Sequence, residues 1–386
     1  MSNLSRRAAG SVLCSALMAA ALAAVAGAPA VGATGPGSVG TPRDTVVPLS
    51  PSGPSTRLQP SGSSLTTWNG STVATQDGHT YNYAMVGEDP TVVQSNPTTT
   101  VTVPIIPLIL KFKSTTFDPT VANATCGETA SPLASVLASP IFATTTYTPG
   151  GTNVGTTQYE DAFQRANFWK YDNPTGINPN YHVLLTPVTE APVTLTIKAR
   201  HGKVAKGTSG CNALGEVSIN YLDHYIQTKL LPSVAGVGPT TFPIVLVHNV
   251  VTTQGQCCYL GYHGAFNTAA GIQTYAEDEY DDSGDFTGVV DISTLAHEVG
   301  EWMDDPFGTN PTPAWGHVGQ VATCQSNLEV GDPLTGTNVP VTIGGVTYHP
   351  QELAFFSWFY GGSPSIGVNG WYSSNHTFSA PAALCH

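Results

Sequence analysis

Charge is what this chain has least of. Charged residues make up 10% of its 386 residues, and Lys and Arg together number 13, whereas ordinary soluble domains are roughly one-quarter charged. With 26 acidic residues against so few cations, the chain repels phosphate backbones, and no nucleic-acid partner is expected. No C-x-x-C pair is present, which argues against a cysteine zinc cluster. A G-x-S-x-G elbow and a P-loop are also missing, so neither a serine-hydrolase nucleophile nor a nucleotide-phosphate cradle is foreseen. After the first 33 residues no apolar run is long enough to cross a bilayer.

What is present begins with an export signal. Arg6 and Arg7 precede an apolar run over residues 12–26 and the small residues Val31-Gly32-Ala33, the charge, length and cleavage chemistry of a signal peptide over residues 1–33. Cys14 follows Leu13, not a small residue, so a lipid anchor is not expected and the mature chain is read as secreted, with no membrane contact. Cleavage removes two cations and leaves a net charge of −15. It also leaves Cys126, Cys211, Cys257, Cys258, Cys324 and Cys385, an even number in an exported protein, for which disulfides are the default expectation and the pairing stays open. Residues 34–65 are rich in Gly, Pro, Ser and Thr and read as a flexible leader. One domain is expected over residues 66–386.

Gly (40) and Pro (30) are abundant, which predicts short strands, many turns and few helices. A hairpin is expected around Asp77-Gly78. Strands are expected at 101–113, where Pro104 and Pro107 suggest a sheet edge, and at 181–185, 193–199 and 242–251. Apolar residues recur at helical spacing in only three stretches. These are 159–169, a second that places Ile219, Leu222, Ile226 and Leu230 on one face before Pro232, and 291–303 with Asp291 as a candidate N-cap.

The third helix carries the chemistry. Ile292, Leu295, Val299 and Trp302 mark its core face, while His297 and Glu301 stack one turn apart on another face. An i, i+4 imidazole and carboxylate can reach one zinc ion, and Glu298 between them is placed as general base toward the attacking water. This is H-E-x-x-E where the commoner zincin motif has H-E-x-x-H. Downstream, Glu329 is the expected third metal ligand, with Asp332 accepting the Nδ1–H of His297 and His317 as the competing ligand. His263, between Gly261 and Gly264, reads as a hydrogen-bonded turn residue and not a ligand. Arg165 reads as a structural cation. Residues 355–360, with Trp371 and Tyr372, read as core aromatics, with a sugar-binding platform as the rival.

The run Ala296-His297-Glu298-Val299-Gly300-Glu301, with Asp305-Pro306, Trp315 and Glu329-Val330-Gly331-Asp332, resembles a group of exported bacterial H-E-x-x-E proteins. It is similar, more distantly, to the plant EXORDIUM, or phosphate-induced, proteins. Gln158-Tyr159, Asp161 through Trp169, and Gly261-Tyr262-His263-Gly264 extend the likeness. It implies an α+β, zincin-like mixed sheet with an active-site helix and a β-rich N-terminal part. Those proteins place a Cys just after E-x-G-D, whereas Pro333-Leu334 follow here and the nearest is Cys324; no disulfide is carried over. The expected function is a secreted zinc metallopeptidase acting on peptide or protein substrates. The rivals are a non-catalytic metal-binding wall protein and a carbohydrate-binding protein.

Overall fold

Ile244 and Leu246 pack with one set of buried residues and Val245 and Val247 with another, and this period-two alternation gives the central sheet two covered faces. The computed structural model describes residues 64–123, 127–205, 213–255 and 257–386, together with the backbone of 43–47. The expected signal peptide, Cys126 and Cys211 lie outside the described residues.

The strands in chain order are β1 (Arg43–Val47), β2 (Thr67–Val73), β3 (Thr80–Val86), β4 (Thr98–Lys111), β5 (Thr116–Phe117), β6 (Thr145–Tyr147), β7 (Gly155–Thr157), β8 (His182–Thr189) and β9 (Val193–Thr196). They continue with β10 (Gly202–Ala205), β11 (Leu214–Ser218), β12 (Ile244–His248), β13 (Val250–Thr253), β14 (Cys257–Thr268), β15 (Gly271–Tyr280), β16 (Pro311–Val318) and β17 (Val321–Asn327). The helices that matter are α1 (Pro132–Ala138), α2 (Tyr159–Asn167), α3 (Trp169–Asp172), α4 (Ile219–Tyr225) and α5 (Ser293–Asp304). The result is an α+β fold around a mixed, 11-stranded sheet in the order β10-β11-β13-β14-β15-β12-β4-β5, with β1 on β14 and β8 and β9 on β4.

The two long helical stretches cover opposite faces of this sheet. Ile292, Leu295, Val299, Trp302 and Met303 from α5 join Ile244, Leu246 and Ala276. On the far side Ile219 and Leu222 from α4, with Ile226 and Leu230 from the π turn that continues it, join Val245, Val247, Tyr262 and Tyr275. Each such fully buried side chain contributes about 1.5–3 kcal/mol. The Trp302 ring stacks on Phe242 at 3.8 Å, and its Nε1–H donates to Thr274 Oγ1 at 3.0 Å.

Several local expectations change. Strand β4 is interior, flanked by β12 and by β8 then β9; Pro107 falls where its neighbour changes from β8 to β9, so the missing N–H interrupts no ladder bond there. The expected strand over 242–251 is divided at Asn249, which takes a φ of 49°. The hairpin forms as β2 and β3 but closes through a longer turn, with Ala74 N donating to His79 O at 2.9 Å. Within the leader, the β-branched stretch Thr45-Val46-Val47 pairs in parallel with β14, Val46 opposite His263. Asp291 has a φ of 49° and does not cap α5; its Oδ1 accepts from Ile292 N and His349 N before the helix begins.

Candidate metal centre

Helix α5 approaches β14 so closely that residue 261 has to be glycine. A Cβ there would stand 2.6 Å from Thr294 Cγ2 and 3.1 Å from Glu298 Cγ. His263, two residues along, projects from the same face of the strand and is 0% exposed, as are His297, Glu298 and Glu301. The loop after β17 comes equally near. A Cβ on Gly331 would lie 2.5 Å from the His297 ring, and this approach carries Glu329 and Asp332 to the helix.

Glu301 is the hub of the cluster. Its Oε1 accepts from the backbone N–H of Gly331 at 3.0 Å and of Asp332 at 3.2 Å, and stands 3.0 Å from His297 Nε2. Its Oε2 is buried with no hydrogen-bond partner and stands 3.8 Å from His263 Nδ1. The Glu329 carboxyl meets that of Glu301. Its Oε1 accepts from Asn327 Nδ2 at 3.0 Å, and its Oε2 is buried and unpartnered. Glu298 Oε2 is 3.0 Å from His263 Nδ1, and the other nitrogen of that ring is 3.1 Å from the Asp305 carbonyl oxygen.

Charge balance makes this cluster unusual. Glu160, Glu298, Glu301, Asp304, Asp305 and Glu329 are each no more than 2% exposed. Arg165 is the only buried Lys or Arg among the described residues, and its guanidinium donates to the carbonyls of Val154, Tyr181, Pro179 and Asp172. Carboxylates this deep must keep a proton or share a cation. Burial pushes Glu301 up to about 7 against the pull of His297, raises Asp304 to about 7 and Asp305 to about 6, and holds Glu160 and Glu329 well above the usual carboxylate range. Imidazole nitrogens with carboxylate oxygens suit a divalent ion such as zinc, and the two unpartnered oxygens on Glu301 and Glu329 fit such an ion. No protein family, curated protein or solved structure matches the chain. The site therefore has to be read from its own geometry.

His297, Glu298, Glu301, Glu329 and Asp332, expected to converge, are brought together. The role foreseen for Asp332 changes. It lies 3.6 Å from Nε2 of His297, whereas Nδ1 is met by Gln351 Nε2 at 2.9 Å. Asp332 accepts instead from Gln320 and from Gln325, the latter at 2.6 Å. His317 is exposed, within 4.8 Å of the bonded pair Cys324–Cys385, with its Nδ1 2.9 Å from the Ala322 carbonyl oxygen. A second disulfide joins Cys257 and Cys258.

His263 and Gln351 are the residues that sequence reasoning missed. His263 lies within β14, not in a turn, because Gly261 beside it serves the approach of α5. The unbroken run of buried residues from Leu260 to Ala265 was the available signal. Phe355, Phe356, Trp358, Phe359, Tyr360 and Tyr372 are buried in one core, as the packing reading of these aromatics expected.

Proposed function

We propose that this is a secreted, zinc-dependent hydrolase, a metallopeptidase of zincin-like build, whose ion is held at Glu301 and Glu329 together with a histidine. The observation that carries this is the convergence of two buried carboxyls, each with one unpartnered oxygen, with two buried imidazoles, Arg165 being the only buried Lys or Arg among the described residues. Bound zinc would polarise a carbonyl and acidify water, less strongly with a carboxylate-rich donor set than with two imidazoles. Glu298, on α5 one turn before Glu301, would take a proton from the attacking water; its Oε2 lies 3.0 Å from His263 Nδ1.

The burial of Glu298 and of both histidines favours a second reading, a non-catalytic extracellular protein that keeps the ion for stability. Hydrolysis of a peptide library by the purified protein, with and without a chelator, separates the two. A hydrolase loses activity with chelator and regains it with zinc, and Glu298→Gln keeps the ion while activity falls by about 100- to 10,000-fold. Zinc-loaded protein that cleaves nothing contradicts the hydrolase reading, and equal loss of zinc in Glu298→Gln and Glu301→Ala contradicts the role of Glu298.

A further inference from the structure

Resting on the metal reading above, we infer that the ion is held on the Oε2 side of Glu301, by His263 Nδ1 and Glu301, and that His297 is a positioning residue and not a ligand.

The two edges of the Glu301 carboxyl differ in kind. On the Oε1 side the nearest neighbours are donors, and the Asp332 carboxylate stands farther off, 3.6 Å from His297 Nε2. The N–H groups of Gly331 and Asp332 point at that oxygen, and the tautomer of His297 adds a third. The Gln351 side-chain nitrogen lies 2.8 Å from the Gly331 carbonyl oxygen and 2.9 Å from His297 Nδ1. A carbonyl only accepts, so the group between them is the amide NH2, and turning the amide over would set oxygen against oxygen. Nδ1 of His297 is therefore an acceptor, and in the neutral ring Nε2 carries the proton, 3.0 Å from Glu301 Oε1. A nitrogen that carries a proton has no lone pair for a metal.

On the Oε2 side every neighbour is a lone pair. His263 Nε2 lies 3.1 Å from the Asp305 carbonyl oxygen, which fixes the proton on Nε2 and leaves Nδ1 bare in the neutral ring. Nδ1 then faces Glu298 Oε2 at 3.0 Å and Glu301 Oε2 at 3.8 Å, with Glu329 against the same carboxyl. Bare nitrogen and carboxylate oxygens at these separations repel unless a proton or a metal cation stands among them. Donor atoms about 2.0–2.2 Å from a tetrahedral zinc ion are about 3.2–3.6 Å apart, and His263 Nδ1 and Glu301 Oε2, 3.8 Å apart, stand close to that spacing. The Asp305 carbonyl is the kind of outer partner that sets the tautomer of a metal-ligating histidine.

Zinc itself is the probe, in competition titrations of the full purified protein against a chromophoric chelator. His263→Ala should lower zinc affinity more than about 100-fold, whereas His297→Gln, whose amide can still donate to Glu301, should change it by less than about tenfold; His317→Ala should leave it unaltered. Because His263→Ala removes a core side chain, the parent protein supplies a second readout. On zinc addition the 15N resonance of His263 Nδ1 should move from its unprotonated position while Nε2 keeps its proton. If the parent binds zinc and His263→Ala binds it as well, or if the nitrogen that shifts belongs to His297, the assignment is overturned and the metal reading stands. If the parent binds no zinc, both fall.

Discussion

The two helices on opposite faces of the sheet handle buried acid in opposite ways. Under α4 the acids are few and dispersed. Asp223 accepts from the Tyr275 hydroxyl and from Gln227 Nε2 at 2.9 Å, and burial, with the charge of Asp278, raises Glu277 well above the usual carboxylate range. Glu279, next along the same strand face, is also buried, and apolar side chains surround these acids. Under α5 carboxyls crowd together, and the polar atoms that face Glu301 Oε2 are acceptors. The α4 face is arranged for stability, whereas the α5 face gives up stability to keep a set of donors in one place.

The largest effect is expected where the comparison is sharpest. Glu301→Ala should lower zinc affinity at least about 1,000-fold, about 4 kcal/mol, a larger effect than its change in metal-free stability, where removal of a buried acid is set against the loss of its two backbone N–H bonds. Glu301→His preserves the chelating position and should still bind zinc. Competition titration and thermal melts of the same preparations measure both quantities. A fall in metal-free stability with zinc affinity intact would make Glu301 an ordinary structural residue.

Leu222→Ala probes the other face and should show the reverse pattern. Its fully buried side chain predicts a loss of about 2–5 kcal/mol in urea unfolding, with the zinc affinity of the folded fraction unchanged. If zinc affinity falls in parallel, the faces are not independent.

The smallest effect concerns Glu277, whose pKa burial raises well above the carboxylate range. The unfolded chain ionises this group first, so above the unfolded pKa the folded state holds the extra proton and stability falls as pH rises. Glu277→Gln does not titrate. Its unfolding free energy relative to the parent's should therefore rise from pH 4 to pH 8, at up to about 1.4 kcal/mol per pH unit. A margin that is flat across this range would mean that Glu277 ionises without cost.

How much of this was legible in the sequence follows from distance along the chain. Helix α5 and the α4 stretch could be read because apolar residues recur every three or four positions, and His297, Glu298 and Glu301 came with the helix. Glu329 and Asp332 were within reach because they follow α5 closely. His263 was not, since it meets Glu298 across 35 residues and from another strand, and Gly261 beside it serves close packing although it reads as a turn signal. Gln351, which sets the His297 tautomer, lies 54 residues downstream. Pro104 and Pro107 misled because a strand whose partner changes along its length can seat proline in its interior. Asp291 looked like a cap by residue type alone, and its positive φ is set by tertiary contacts that include His349.

The account rests on the α5 cluster taking up a cation. Titrating zinc into metal-free, purified protein while following bound metal and melting temperature tests that most directly. One equivalent per chain is expected, with a stabilisation of about 2.7 kcal/mol once free zinc exceeds the dissociation constant about 100-fold. Protein that takes up no zinc, and whose melting temperature does not move with it, would contradict the account.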